Sequence, residues 1–239
     1  MDIFEAIYSR RSCRDFDVNK TITEESLEKI LETARFAPSP ENTQQWRFIV
    51  SRDSELKKLI SDISQERAQD VFGGQPYEII QGRVWYLPEK VRLQTLERAI
   101  NGTLFQFPEK SDALIFCCYT DSFHDNAFPD FIYTSGLSSL ISLSMAIQNM
   151  WLAATALGIG CGFMTIPFGD KRYSQILHDL LGVPISWKII TVLCLGMPEK
   201  KNLLAPSRFP LKEIVFDELW GRPYKINSKG GDSNDKAYA

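Results

Sequence analysis

Two continuous apolar runs constrain the fold of this 239-residue chain more than any other feature. The first is ALIFCCY, residues 113–119, and the second is KIITVLCLG, residues 188–196. Short runs of this kind, flanked by turn signals, are typical of buried β-strands. A third run, RFIV at residues 47–50, is also short and β-prone. The chain is 44% hydrophobic, which is enough to bury these strands in a substantial core.

Helical patterns occupy much of the remaining chain. N-cap residues followed by apolar residues at i, i+3 and i+4 predict a helix. The predicted helices cover residues 2–9, the stretches that follow Thr23 and Asp53, residues 88–101, residues 135–157 and the segment around Leu177. The helix at 135–157 is the most apolar, but serine, glutamine and asparagine interrupt it. We therefore predict that it is buried in the core and does not cross a membrane.

Residues 65–110 are the hardest part of the chain to interpret. They mix Gly73-Gly74 and several prolines with aromatic residues, which predicts an insertion with some helix and limited regularity. The chain has neither internal repeats nor a clear linker, so we predict a single α+β domain over residues 1–226. The polar, glycine-rich residues 227–239 are predicted to form a disordered tail.

Composition argues against several classes of partner and site. The net charge is −3 and no Lys/Arg stripe is present, so nucleic acid is not an expected partner. Acidic residues stand near the N-terminus where a secretion signal would carry positive charge, so no such signal is expected there. The cysteine pattern described next predicts a reducing, cytoplasmic setting. The five cysteines form no C-x-x-C pair and lie apart from the two histidines. Neither a metal site nor a disulfide framework is expected.

The stretch SRRSCRDF concentrates positive charge near the N-terminus. It places Arg10, Arg11 and Arg14 around the hydroxyl of Ser12, at the end of the first predicted helix. Such a cluster can bind a phosphate through charge-assisted hydrogen bonds. The alternative is a solvated basic patch that the helix dipole favours. Taken alone, this stretch favours the alternative.

The stretch APSPENTQQWRF is the second candidate. Pro38 and Pro40 stiffen the backbone, while Ser39, Asn42 and Gln44 offer hydrogen-bonding groups. A rigid polar loop of this kind can bind a heterocycle. An ordinary loop that ends a helix and is anchored by Trp46 accounts for the same residues equally well.

Two further stretches are weaker signals. LGIGCGFMTIPFG is predicted to form a glycine-rich turn over residues 158–162, where glycines let the backbone approach a ligand closely. Its spacing differs from the dinucleotide-binding fingerprint, and a glycine-rich C-cap is the simpler interpretation. SRFPL contributes Arg208, which becomes informative only beside the first arginine cluster.

The four stretches occur in an order that resembles the FMN-dependent nitroreductase superfamily, which also contains iodotyrosine deiodinase. RRSCR resembles its R-R-S-x-R motif, and ARFAPSPENTQQWRF its A-x-x-A-P-S-x-x-N-x-Q-P-W-x-F motif, with Gln45 where proline is usual. AIQNMWLAATALGIGCGFM resembles the central helix and glycine turn, and PSRFPL the closing Arg-x-Pro-Leu segment. The resemblance spans residues 3–216 and leaves out 65–110.

The resemblance implies a cofactor and the residues that bind it. FMN would be tightly bound, with Arg10, Arg11, Ser12, Arg14 and Arg208 around its phosphate and the polar edge of its ring. Loop residues would lie along the ring and ribityl chain. These are Pro38, Ser39, Pro40, Asn42 and Gln44. The backbone of Met164, Thr165 and Ile166 would face the flavin N5 atom.

The resemblance also implies a fold, a partner and a reaction. The family fold is a mostly antiparallel sheet flanked by helices in an intertwined homodimer. NAD(P)H would reduce FMN in a ping-pong reaction, and a small aromatic or quinone-like acceptor would take the electrons. The protein supplies binding and electrostatics, so no essential protein nucleophile or general base is expected. Residues 65–110 would be a lid over the acceptor.

Three alternatives remain open at the sequence level. The chain could be a reductive dehalogenase of the deiodinase type, with residues 65–110 clamping a zwitterionic aromatic substrate. It could be a flavin-modifying member, although the acid expected in place of Ser12 is missing. From other classes, a non-catalytic flavin carrier would show slow reoxidation and no consumption of NAD(P)H, and an anion-binding module without a redox role would contain no bound flavin.

Overall fold

A four-stranded antiparallel sheet in the order β1-β2-β4-β3 forms the centre of the molecule. The computed structural model of the protein describes residues 1–85, 87–121, 137–199, 208–222 and 224. The strands are β1 (Trp46–Ser51), β2 (Ala113–Tyr119), β3 (Gly160–Met164) and β4 (Lys188–Gly196). All three pairings are antiparallel, so the prediction of an α+β fold with an antiparallel sheet is confirmed.

Helices and short turns connect and cover the strands. The helices are α1 (Ile3–Ser9), α2 (Glu24–Ala34), α3 (Ser54–Gly73), α4 (Tyr77–Gly82), α5 (Glu89–Ile100), α6 (Phe107–Lys110), α7 (Leu137–Ala156), α8 (Lys171–Leu181) and α9 (Leu211–Ile214). Thr23 and Asp53 cap α2 and α3 as predicted, because their side-chain oxygens accept hydrogen bonds from the N–H groups of Ser26 and Leu56.

The two central strands are buried on both faces, which explains their continuous apolar sequences. On one face, Ile115, Cys117 and Leu193 pack in a core cluster with α2 and α7. On the other face, Phe116 and Val192 pack with residues of α3 and α8. A strand covered on both sides has no solvent-facing positions, so the polar–apolar alternation of a half-buried strand is absent.

Residues 65–110 are more regular than the sequence predicts. The helix predicted at 88–101 is confirmed as α5. Because α3 continues to Gly73 and α4 and α6 are also helical, the expectation of limited regularity in the rest of the segment is wrong. Pro76 and Pro88 stand at the N-caps of α4 and α5, where the missing N–H of proline costs nothing. The prolines that suggested irregularity therefore mark the starts of helices.

The predicted glycine turn is a strand in its second half. Gly158 adopts a positive φ of 73° just after α7, where a glycine is expected. Gly160 and Gly162 lie within β3, paired with Gly196 and Cys194 of β4. The prediction of a turn over residues 158–162 is wrong for these two glycines. They are needed because the N-terminal segment that contains Cys13 packs closely against them.

The α7 helix is long and apolar enough to span a membrane by length and composition, with a mean hydropathy of 1.2. Leu143, Ala146 and Met150 are fully buried in the core cluster beside α2 and the sheet. On another face, Ile141 and Met145 are 46% and 41% exposed. The helix thus packs in the core as predicted, and it leaves apolar surface outside that core. Residues 135–136 of the predicted helix and the tail at 227–239 lie outside the described residues.

Candidate functional site

The arginine-rich segment leaves α1 and runs beside β3. Arg10 is the C-cap of α1, and Ser12 forms a parallel bridge with Cys161. The Cys13 N–H donates to the Cys161 carbonyl at 2.9 Å. Beyond this point, the Asp17 N–H donates to the Met197 carbonyl at 2.9 Å. The segment is therefore held against the edge of the sheet by backbone hydrogen bonds.

Glycines in β3 make this close approach possible. A Cβ at Gly160 would lie 2.7 Å from the Cys13 sulfur, and a Cβ at Gly162 would lie 2.6 Å from the Cys13 carbonyl oxygen. Non-bonded atoms do not approach so closely, so any side chain would displace the N-terminal segment. These glycines place the arginines beside β3, whereas the sequence suggested that they approach a ligand themselves.

Positive charge accumulates where the two ends of the chain meet. Burial lowers the pKa of Arg10, and the neighbouring guanidinium groups of Arg208 and Arg11 lower it further. The structure therefore brings Arg208 to the N-terminal arginines, as predicted. Repulsion of the half-buried Arg10 by two neighbouring cations favours binding of an anion, because a phosphate dianion would relieve that repulsion.

The other predicted members of the cluster differ in their surroundings. Arg14 is exposed and belongs to the same segment, where it directly follows Cys13. Ser12 is half-buried beside Cys161. Arg11 turns one guanidinium nitrogen back to its own helix end, donating to the carbonyls of Tyr8 at 2.7 Å and Arg10 at 2.9 Å. Arg11 therefore contributes charge while part of its hydrogen-bonding capacity is used locally.

Trp151 joins the arginine cluster, although the sequence patterns did not single it out as a site residue. The Arg10 guanidinium carbon lies 4.6 Å from the centre of the Trp151 ring. The same ring stacks on Phe163 of β3, with centroids 6.1 Å apart and planes inclined by 15°. In the sequence, Trp151 stands within AIQNMWLAATALG, a stretch that indicates only a helix of the core.

The predicted polar loop has a strained backbone. Glu41, Asn42 and Gln44 have φ values of 53°, 56° and 48°, a left-handed backbone conformation that residues other than glycine rarely adopt. The Ser39 hydroxyl accepts a hydrogen bond from the Gln44 N–H at 3.0 Å, and the Asn42 N–H donates to the Ser39 carbonyl at 3.0 Å. Strain of this kind concentrates at ligand-binding sites.

Exposure and anchoring differ along this loop. Pro38, Pro40 and Asn42 are exposed, whereas Ser39 and Gln44 are half-buried. Gln45, which stands where the family has proline, is buried and accepts a hydrogen bond from the Ser139 hydroxyl of α7. Its side-chain nitrogen has no hydrogen-bond partner within the described part of the chain. The loop is therefore anchored at its base by Gln45 and the buried Trp46.

The loop and the arginine cluster lie at opposite corners of the sheet. The loop leads into Trp46, which pairs with Tyr119 at the end of β2, on the β1 edge. The cluster lies by Cys161 of β3, level with Leu195 and Ala113 at the start of β2. Three strand spacings and six residues of strand separate these corners by about 24 Å. Within one subunit, the strand positions that anchor the loop and the cluster, Trp46 and Cys161, are therefore far apart.

The third predicted group, Met164 to Ile166, follows β3 directly. Met164 is buried, and its carbonyl accepts a hydrogen bond from the buried Thr191 hydroxyl at 2.8 Å. In a trans peptide the N–H points opposite to the C=O. The Thr165 N–H is therefore directed away from Thr191, and the Thr165 side chain is exposed. Ile166 is half-buried against the second core cluster.

Comparisons with known proteins agree with this arrangement of motifs. The model of the nitroreductase family matches residues 7–197. The protein DrgA of Synechocystis is 42% identical over 236 residues, covering 92% of this chain and 98% of that protein. A putative NADH dehydrogenase/NAD(P)H nitroreductase of Archaeoglobus fulgidus is 29% identical over 221 residues, covering 92% of this chain and 99% of that protein.

The fold is similar to that of solved structures as well. A BluB-like flavoprotein from Clostridium difficile superimposes with a TM-score of 0.65 at 24% identity, covering 91% of this chain and 99% of the other. At this identity the likeness establishes the fold alone. Together with the match of the family model over most of the chain, these findings show that the protein is a member of the nitroreductase family.

Proposed function

We propose that this protein is an FMN-dependent oxidoreductase that uses NAD(P)H to reduce a small aromatic or quinone-like acceptor in a ping-pong reaction. The observation that carries the proposal is the environment of Arg10, whose pKa is lowered by burial and by the neighbouring charges of Arg208 and Arg11. Cations grouped in this way favour an anionic ligand. The terminal phosphate of FMN is a dianion of the size and charge that such a cluster accommodates.

The donor set fits each part of FMN. Arg10, Ser12, Arg14 and Arg208 would hold the phosphate with bidentate and charge-assisted hydrogen bonds, with Arg11 adding charge. The ring and ribityl chain would contact the strained loop, through Pro38, Ser39, Pro40, Asn42 and Gln44. The Thr165 N–H, whose direction is set by the Thr191–Met164 hydrogen bond, would donate to N5. Met164 and Ile166 would form the apolar surroundings of that donor.

The separation of the two half-sites argues for a homodimer. Within one subunit, the strand positions that anchor the loop and the cluster, Trp46 and Cys161, lie about 24 Å apart across the sheet, which favours a site whose loop and cluster come from different subunits. In a two-fold dimer, the loop of each subunit can meet the cluster of its partner. We infer that FMN binds between two subunits and that each site uses both.

Exposed apolar residues support the same assembly. On α1, Phe4 and Tyr8 are 65% and 69% exposed, and on α7 Ile141 and Met145 are also exposed. A shallow apolar groove lies between α1 and α7, lined by Ile3, Leu152 and Ala153 among others. Exposed apolar residues that lie together in this way are typical of a protein–protein interface.

When bound, FMN supplies the redox chemistry, accepting a hydride equivalent from NAD(P)H and passing electrons to the acceptor. The chain itself binds, orients and tunes the cofactor. Its cysteines are all buried, and burial raises the pKa of the Cys13 and Cys118 thiols to about 11. They therefore hold little thiolate at neutral pH and are unsuited to act as nucleophiles.

Residues 65–110 are proposed to cover the acceptor site as part of a single domain over residues 1–226. The segment reaches the C-terminal arm near Arg208, because Trp85 contacts Phe209 with ring centroids 6.3 Å apart. Helices α4 and α5 expose apolar side chains, with Ile79 at 54% and Leu93 at 57%. A helical lid with apolar surface suits an aromatic acceptor.

The decisive experiment is the visible absorption spectrum of the purified protein before and after anaerobic addition of NADH or NADPH. We expect a flavin spectrum that bleaches with either or both donors. Screening nitroaromatics, quinones and halotyrosines would then identify the acceptor and separate a nitroreductase from a dehalogenase. A bound flavin that does not bleach would favour a carrier, and failure to bind added FMN would overturn the proposal.

A further inference from the structure

Trp151 lies beside the proposed phosphate site. Its ring lies under the Arg10 guanidinium carbon at 4.6 Å and stacks on Phe163. The indole N–H is buried and has no hydrogen-bond partner within the described residues. Tryptophan usually satisfies this group when it is buried. The polar atom thus does not explain the position of Trp151, whereas the contact of its ring with Arg10 does.

An arginine can be fixed in two ways, and they have opposite consequences for anion binding. A carboxylate partner would orient the guanidinium but would occupy its N–H groups and cancel its charge. An aromatic face attracts the cation through the ring quadrupole and uses none of the five N–H donors. Arg10 therefore keeps both its charge and its hydrogen-bonding edge for a ligand.

The energetic setting of Arg10 makes such support necessary. Its guanidinium is half-buried beside two other cations, so both desolvation and repulsion act against holding it there. Repulsion alone would turn a flexible arginine side chain outward into water. The electron-rich face of Trp151, itself held by Phe163, offsets part of this cost and restrains the guanidinium beside Arg208.

We propose that Trp151 is a positioning residue that holds Arg10 ready for the phosphate of FMN, and that the protein uses it to favour FMN over riboflavin. The inference rests on the proposed function, because it assumes that the arginine cluster binds that phosphate. Riboflavin has the same ring system without the phosphate. A residue that acts through Arg10 should affect FMN binding and leave riboflavin binding nearly unchanged.

The test compares the dissociation constants of FMN and riboflavin in the apoprotein, measured by quenching of flavin fluorescence. We expect Trp151→Leu to weaken FMN binding by about tenfold, within the range of a partly desolvated cation–π contact. Riboflavin binding should change by less than about twofold. Trp151→Phe keeps an aromatic face and should retain most of the preference for FMN.

The chain contains a matched control. Phe72 is half-buried, stacks on Phe105 at 5.5 Å and carries the Arg83 guanidinium at 5.5 Å from its ring, which repeats the arrangement of Trp151, Phe163 and Arg10. It lies in the 65–110 segment and has no assigned phosphate contact. Phe72→Leu should therefore leave the ratio of the two dissociation constants unchanged.

The outcomes separate this inference from the proposed function. If wild-type protein prefers FMN and Trp151→Leu keeps that preference, Trp151 does not position Arg10. The inference also fails if Phe72→Leu loses the preference equally, since general loosening would then explain both. Wild-type protein that binds flavin without preferring FMN would refute the phosphate site itself. Should Trp151→Leu not fold, Trp151→Met gives the same comparison with a longer side chain that fills the gap.

Discussion

At the scale of single residues, the two glycines of β3 have the clearest consequence for stability. A Cβ at Gly162 would meet the Cys13 carbonyl oxygen and the Phe107 ring, each at 2.6 Å. We expect Gly162→Ala to lower the free energy of unfolding by about 1–3 kcal/mol, as overpacking of a close contact does. Chemical denaturation of the apoprotein measures this loss.

Gly73 is the control for that substitution. It is the last residue of α3, and a Cβ there would meet no atom within 4 Å. Gly73→Ala should be neutral or stabilise by up to about 1 kcal/mol, because alanine favours the helix. Equal stability of the two variants would show that the N-terminal segment does not pack against β3 as described.

Cysteine ionisation gives a pH dependence with a definite sign. Burial raises the pKa of the Cys13 thiol from an ordinary 9.0 to about 11 in the folded state. The folded chain therefore holds this proton more tightly, and the associated stability is present below pH 9 and is lost as pH rises toward 11. We expect the unfolding midpoint in denaturant to fall over this interval.

Thiol reactivity checks the same burial independently. A thiol-reactive disulfide reagent at pH 8 should label the folded protein slowly and all five cysteines after unfolding. Rapid labelling of the native protein would contradict the buried environment of these residues.

At the scale of elements, the strained loop is expected to accept a glycine substitution without loss of stability. Glu41 is exposed and has a φ of 53°, a conformation that costs a side-chain-bearing residue about 1–2 kcal/mol. Glu41→Gly relieves this cost, and we expect thermal unfolding to shift little or upward. Glu28→Gly, in the exposed face of α2, should instead destabilise by about 1 kcal/mol. Similar losses at both positions would show that the loop is unstrained.

The success of sequence-based prediction also varied by element. β2 and β4 could be predicted because burial on both faces leaves an uninterrupted apolar run. Within 65–110, the helix predicted at 88–101 is present as α5, whereas α4 was missed because Pro76 resembles a helix breaker until its N-cap position is known. The placement of Gly160 in a strand depends on Cys13, which is distant in sequence. Local patterns do not carry such contacts.

The candidate site also has parts that local sequence patterns reveal and parts that depend on contacts between distant residues. The arginine and loop motifs were recognisable because each is contiguous, and their chemistry follows from residue type. The role of Trp151 could not be recognised from the sequence, because only folding brings α7 beside Arg10. The distance between the loop and the cluster likewise follows from strand order and register, which the sequence alone does not specify.

At the scale of the whole molecule, the inferred composite site predicts complementation between two defective subunits. Arg10→Glu damages the cluster, and Ser39→Tyr damages the loop and removes the hydroxyl that accepts from Gln44. Each variant alone should bind FMN weakly. Co-expressed with different tags, they should form mixed dimers in which one site combines two intact halves.

FMN content of the purified mixed dimer measures the result. We expect about one flavin for every two subunits, since the second site carries both defects. A mixed dimer without flavin would mean that each site is built from a single subunit. A mixture of the two separately purified variants, combined without exchange of subunits, serves as the control and should remain empty.

The bridging of the chain ends has a consequence for biosynthesis. The Asp17 N–H donates to the Met197 carbonyl and the Glu199 N–H donates to the Asp15 carbonyl, so the segment around Asp15 and Asp17 completes these contacts only after residues 197–199 have been synthesised. Contacts this remote in sequence form late. A bound cofactor would therefore mark a chain whose synthesis has reached the arm that carries Arg208.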